Sequence, residues 1–135
     1  VPIGTGVLDY FPKALAEIAK VSKAGNDQHN PGQPLHWSKH KSADHYDCLV
    51  RHSIERGTWD YGDVPPQRHS AKLAWRALAL LETELEAETA GMSVRDYVEK
   101  LKRDANPAVY AKPAPVLPAD ASVCFEVFSE MVIKP

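Results

Sequence analysis

No apolar run among these 135 residues approaches the roughly 20 needed for a helix to cross a bilayer, which excludes a helical membrane span and, with it, a membrane partner. Cysteine is scarce: Cys48 and Cys124 are the only two, and their separation fits neither a metal knuckle nor a disulfide framework. Neither sign of charge is in excess, since 16 basic residues face 18 acidic ones; that excludes wrapping of nucleic acid on one side and acidic disorder on the other. Several catalytic templates are missing too. There is no Gly-x-x-x-x-Gly-Lys-Ser/Thr phosphate loop, no Gly-x-Gly-x-x-Gly turn, no Gly-x-Ser-x-Gly elbow and no His-Glu-x-x-His pair. None of the six histidines is followed by aspartate, which removes the His-Asp type of metal phosphohydrolase. The opening Val-Pro-Ile-Gly-Thr-Gly has no basic segment before an apolar run, so a cytoplasmic location is expected.

What is present concentrates between Tyr46 and Trp75, where carboxylates, guanidinium groups and imidazoles fall at helical spacing on two consecutive helical patterns. The spacing of Leu15, Ile18, Ala19 and Val21 predicts a first helix over about residues 11–23, with Pro12 in its first turn and Gly25 as its left-handed stop. Residues 25–41 read as a long loop carrying Trp37 and the imidazoles of His29, His36 and His40; Trp37 either serves a ligand there or pins the loop to the core. Ser42 is the expected cap of a second helix with Tyr46, Leu49, Val50 and Ile54 inward and Gly57 at its end. An acidic Gly/Pro loop leads into a third helix over about 69–88, striped by Leu73, Ala77, Leu80, Leu81 and Leu85. Gly91 ends it, and Ser93-Val94-Arg95-Asp96 opens a fourth. With no strand pattern before the tail, the fold class is all-α, a helical bundle. The reading divides the chain into a helical domain over 1–104 and a Pro-rich arm over 105–135. The last apolar piece of the arm, Val123–Phe128, is a short strand or a helical turn, and the arm packs on a neighbouring subunit or on its own domain.

Helical carboxylates are the remaining source of chemistry. Acidic side chains bind hard divalent ions, which neutralise phosphate charge. Glu17 on the first helix and Asp47 on the second can face one another across a bundle, with Asp60 as a third metal ligand and Asp44 and Glu55 as spare acids. Lys20 and Arg51, each one turn from an acid, are placed for phosphate oxygens or for plain intrahelical ion pairs. His52 and His69 can orient water, bind phosphate, meet a base, or serve structure alone.

The series Glu17-Ile-Ala-Lys20, Asn30, Trp37, Tyr46-Asp47-x-x-x-Arg51-His52, an acidic Gly loop, then His69 and Ala74-Trp75-Arg-Ala-Leu resembles the phage dATP/dGTP diphosphohydrolases. These are related to the MazG-like all-α nucleotide pyrophosphohydrolases and include the MazZ proteins. The resemblance covers about residues 8–84. It implies a MazG-like bundle assembled as a homodimer or homotetramer, with Mg²⁺ or Mn²⁺ and a purine deoxynucleoside triphosphate between helices. The implied reaction converts dGTP or dATP to the monophosphate and pyrophosphate, in phages serving 2-aminoadenine nucleotide synthesis in the host cytoplasm. By resemblance Glu17 and Asp47 hold metal and, with His52, form the catalytic set, while Lys20, Asn30, Trp37, Arg51 and His69 line the substrate pocket. The chain departs from the MazG-like pattern in offering one acid, Glu17, where a Glu-Glu-x-x-Glu cluster is usual; Asp60 is the expected replacement ligand. An inactive nucleotide-binding or phage interaction module is the alternative, and triphosphate is an alternative leaving group.

Overall fold

The computed structural model describes residues 1–42 and 44–110. The chain divides into two units, Val1–Ala105 and Asn106–Pro135. Of the second unit only the short helix α5, Pro107–Tyr110, falls within the described residues. Cys124, the prolines beyond Pro107 and the Val123–Phe128 piece lie outside them.

The first unit opens with one π-helical turn, Gly4–Leu8, and then forms α1, Pro12–His29. Pro12 sits where its missing N–H costs nothing. The helix runs six residues beyond the expected end, straight through Gly25, and it is Gly32 that takes the positive φ of +75°. The reason lies in Asn26. Buried on the last turns, its amide donates to the Gln33 carbonyl at 3.1 Å and its oxygen accepts the His36 N–H at 3.3 Å, tying the outgoing loop to the helix.

After a 3₁₀ turn at Lys39–Lys41 comes α2, His45–Ile54, which packs chiefly on α3. Ser42 is not its cap; Asp44 holds that position, with its carboxylate accepting from Cys48 Sγ at 3.2 Å. The helix is also rotated from the expected setting. Tyr46, Val50 and Ile54 are exposed at 67, 41 and 75%, while His45, Cys48 and His52 are buried against α3. A polar stripe has taken the inward face because it has hydrogen-bond partners there, which makes its burial tolerable.

Gly57, at φ +86°, ends this helical stretch. Two-residue strands follow, β1 at Trp59–Asp60 and β2 at Gln67–Arg68, antiparallel with Trp59 opposite Arg68 and Asp60 opposite Gln67. The strand-free expectation fails here, since two residues are too few to show alternation. The Arg68 guanidinium lies 4.3 Å from the Trp59 ring centroid and clasps the ladder.

The third helix, α3, spans His69–Thr89, and α4 spans Val94–Ala105, both close to expectation. Their junction follows known stop and start chemistry. Gly91 at φ +65° lets Met92 N–H reach the Ala87 carbonyl at 2.9 Å, and Ser93 Oγ accepts the Asp96 N–H at 3.1 Å. The inward stripe of α3 differs from the leucine pattern: Ala71, Ala79, Thr83 and Ala87 are buried, while Leu81 and Leu85 are half exposed. Small residues at four-residue intervals let helices approach closely, and Leu78, Leu81 and Leu85 turn outward while Leu73 and Leu80 are half-buried. The fold is all-α.

Candidate functional site

Between the end of α1, the following loop, α2 and the first turns of α3 lies a cleft of about 730 Å³. One wall is aromatic. Trp37 packs edge-on to Trp75 at 5.6 Å between ring centroids, and His45 lies 6.0 Å from Trp37. Trp37 Nε1 is a buried donor without a partner among the described residues. The loop bearing it is bolted down by the Lys39–Glu86 ion pair, which Tyr97 supports by donating to the same carboxylate at 3.1 Å. Asn30 lines the cleft and accepts from Lys41 Nζ at 3.0 Å.

The cleft is also cationic. Arg51, Lys72 and Arg76 all line it. Arg76 stands 3.5 Å from the Asp44 carboxylate and 3.2 Å from His45 Nδ1, and burial together with this guanidinium holds the His45 pKa below the ordinary histidine value. Lys72 is gripped twice, by Asp60 at 2.6 Å and Asp63 at 2.5 Å. Its burial opposes the charge, yet the two carboxylates outweigh burial and hold its pKa above the ordinary lysine value. The Lys72 hydrogen bond in turn keeps Asp60 ionised below its usual range.

Beside Lys72 the two imidazoles meet. His52 on α2 and His69 at the start of α3 are buried, with their Nδ1 atoms 3.0 Å apart, so a single proton lies between them. His69 Nδ1 is also 3.2 Å from the Glu55 carboxylate. Burial, then Lys72 and Arg51, push the His52 pKa down and keep the ring neutral. Ligand atoms of His52, Asp60 and His69 all fall within 4.8 Å of one another. A neutral imidazole, as at His52, and an ionised carboxylate, as at Asp60, are donor forms a divalent metal requires. The residues fit a single divalent ion, and their nitrogens suit Mn²⁺ better than Mg²⁺.

Other expected residues lie elsewhere. Glu17 and Lys20 pair at 2.5 Å on the wall of a second, shallower depression with Trp59 and Gln67. Asp47 is exposed on α2 and lines neither cavity. The cleft thus gathers Asn30, Trp37, Arg51 and His52, with Asp60 and His69 joined to it through His52 and Lys72, and leaves Glu17, Lys20 and Asp47 outside. Sequence reasoning places Lys72, Trp75 and Arg76 in the stretch it reads as an active-site wall but gives none of them a role, and it misses Asn26. A usable signal existed for two of them, because His69, Lys72 and Arg76 recur at the 0, 3, 7 spacing of one helical face.

The class of protein that fold and site define is an all-α one whose cleft joins cations and aromatic rings to a His/Asp cluster. The sequence model of the family described as dATP/dGTP diphosphohydrolase, N-terminal, matches residues 5–93, and the chain belongs to that family. No curated protein and no solved structure matches it.

Proposed function

We propose that the protein hydrolyses a purine deoxynucleoside triphosphate, dGTP or dATP, to the monophosphate and pyrophosphate in a reaction dependent on Mn²⁺ or Mg²⁺. The observation that carries this reading is the cleft itself, in which aromatic rings and three cations line one cavity beside a cluster of two imidazoles and a carboxylate. His52, Asp60 and His69 would hold the ion; Glu17 and Asp47 leave the ligand set. A divalent ion there supplies neutralisation of phosphate charge and a water that ionises near neutral pH. Arg51, Lys72 and Arg76 meet the non-bridging oxygens and stabilise the charge that grows on the departing pyrophosphate. Trp37 and Trp75 offer ring faces and edges to the purine, and Asn30 reads its polar edge. Water adds at the α-phosphorus, the bond to the bridging oxygen breaks, and the water's proton leaves to solvent.

The reading includes a homo-oligomer. Tyr46, Val50 and Ile54 form an exposed apolar stripe on α2, and Leu78, Leu81 and Leu85 form another on α3. Among the described residues no large side chain is fully buried, so association would supply core that one chain lacks. No helix among the described residues is long and apolar enough to cross a membrane. The location we propose is cytoplasmic, in a phage-infected host if the chain is phage-encoded, where dGMP would feed 2-aminoadenine nucleotide synthesis. The helical domain of residues 1–104 carries the chemistry in this reading.

Incubation with each of the four dNTPs and Mn²⁺ or Mg²⁺, followed by anion-exchange chromatography, tests the proposal. Monophosphate and pyrophosphate from a purine dNTP are expected. A deoxynucleoside with triphosphate would change the leaving group. Thermal stabilisation by nucleotide without product would make the protein a binding module.

A further inference from the structure

Lys72 is a cleft residue whose present partners and proposed partners compete. Its ammonium is largely buried, with 17% of the side chain exposed, and is held between Asp60 and Asp63. Asp60 is also a member of the metal-capable cluster, and Lys72 itself lines the cleft with Arg51, His52 and Asp63. A carboxylate hydrogen-bonded to an ammonium at 2.6 Å shares its charge between that partner and any ion that approaches the cluster. A divalent ion there would bring its charge within a few ångströms of the ammonium. Two cations so close repel, and the side chain that can move is the four-carbon lysine, anchored on the first turns of α3.

We propose that Lys72 is the exchangeable counter-cation of this site: it pairs with Asp60 and Asp63 when no divalent ion is bound, and it passes to the substrate's phosphate oxygens when the ion takes Asp60. The inference rests on the metal-dependent phosphate chemistry proposed above and adds a residue and an order of events to it. The exchange leaves each of these charged groups with an opposite charge beside it at each stage. Without ion or substrate, one ammonium faces two carboxylates. With both bound, the ion answers Asp60 and the ammonium answers phosphate, while Asp63 remains within the ammonium's reach to take it back when product leaves.

The exchange has a signature that a structural ion pair lacks. Removing a structural Lys72 weakens the loop and every ligand with it. Removing an exchanging Lys72 frees Asp60, so ion binding strengthens while phosphate binding weakens. The full chain would be titrated with Mn²⁺, following free ion by electron paramagnetic resonance, and then with inorganic pyrophosphate at saturating Mn²⁺ by calorimetry. For Lys72→Met the expected results are Mn²⁺ affinity higher by about 5- to 10-fold, the scale of removing one unit charge a few ångströms from a divalent ion in a water-exposed site, and pyrophosphate affinity lower by about tenfold or more. Lys72→Arg should restore pyrophosphate binding. Lys72→Gln, which keeps a hydrogen bond to one carboxylate, gives the same reading if the methionine variant does not fold by circular dichroism. Equal or weaker Mn²⁺ binding in a folded neutral variant overturns the exchange, as does unchanged pyrophosphate binding. Absence of Mn²⁺ binding by the unaltered chain also overturns it, and dNTP product analysis then stands as the separate test of hydrolysis. Conversely, the opposed affinity changes in a chain that yields no product would sustain Lys72 and sink the proposed activity.

Discussion

The protein has two places where a lysine meets acids beside a cavity, and they are built on different logic. At the second depression Lys20 and Glu17 pair along α1, three residues apart, with the lysine side chain 63% exposed and the Glu17 pKa lowered chiefly by that lysine. At the cleft Lys72 reaches across from α3 to Asp60 and Asp63, twelve and nine residues earlier on the strand-and-loop segment. The first pair is what any solvated helix offers and contributes little. The second closes a loop, brings a carboxylate to two buried imidazoles and stands beside an aromatic wall. Spacing on one helix identifies neighbours; only contacts between elements build a site.

That contrast is most exposed to refutation at Asp60. Asp60→Asn removes the cluster's only anionic ligand and one of the two acids on Lys72, and turnover should fall by about 100-fold or more, on the scale seen when a metal's surroundings are stripped. Pyrophosphate release under saturating Mn²⁺ measures it, with circular dichroism to show that the fold persists. Activity within threefold of the unaltered protein would move the ion away from this cluster. Trp37 comes next. Trp37→Ala removes a ring face and an unpartnered donor, and stacking of a base on an aromatic ring contributes about 1–3 kcal/mol. KM should rise roughly 10- to 100-fold with a smaller change in kcat, whereas Trp37→Phe should recover most of it and isolate the Nε1 donor.

Acid provides a third test of the same difference. His52 and His45 have folded pKa values below the ordinary histidine value, so the unfolded chain binds more protons than the folded one as pH falls past about 6.5. Their contribution is therefore present above that pH and is lost as pH drops toward and through the lowered folded values. Tm should fall by several degrees between pH 7 and 5. His52→Asn should reduce that slope, because it deletes one of the two titrating rings, even if it lowers Tm at every pH. A slope unchanged by the substitution would show that His52 is not held neutral by its surroundings.

How much of this was legible follows from the range of the interactions. The helices α3 and α4 were readable because their limits are set locally, by Gly91 at positive φ and by Ser93 with Asp96. The end of α1 was misjudged because Asn26, a residue with low helix preference, is held there by Gln33 and His36 in the loop. The rotation of α2 was hidden for a related reason: His45 and His52 count as polar in any hydropathy pattern, and only Arg76 and His69 from α3 make their burial tolerable. His52, Arg51, Trp37 and Asn30 were singled out and do line one cleft. The cluster of His52, Asp60 and His69 spans three elements, and no periodicity in the chain brings them together. The family, by contrast, was readable from the residues over much of the span that its sequence model matches.

The smallest expected effect falls on the pair that sequence spacing favoured most. Glu17 is ionised and paired with Lys20, and Arg68 adds a second cation at 4.0 Å. Glu17→Gln removes an exposed ion pair on a helix whose other contacts are intact, so Tm should move by less than about 2 °C and turnover by less than about twofold. Asp47→Asn should be as mild, since Asp47 is exposed and lines neither cavity. Both are read by the same pyrophosphate-release assay as Asp60→Asn, so the three variants rank the acids directly. If Glu17→Gln abolished turnover in a folded protein while Asp60→Asn spared it, the second depression would be the metal site and the cleft would bind only the base and phosphates. The comparison would then reverse, and exposed helical acids at plain spacing would be the better guide to the chemistry of this family.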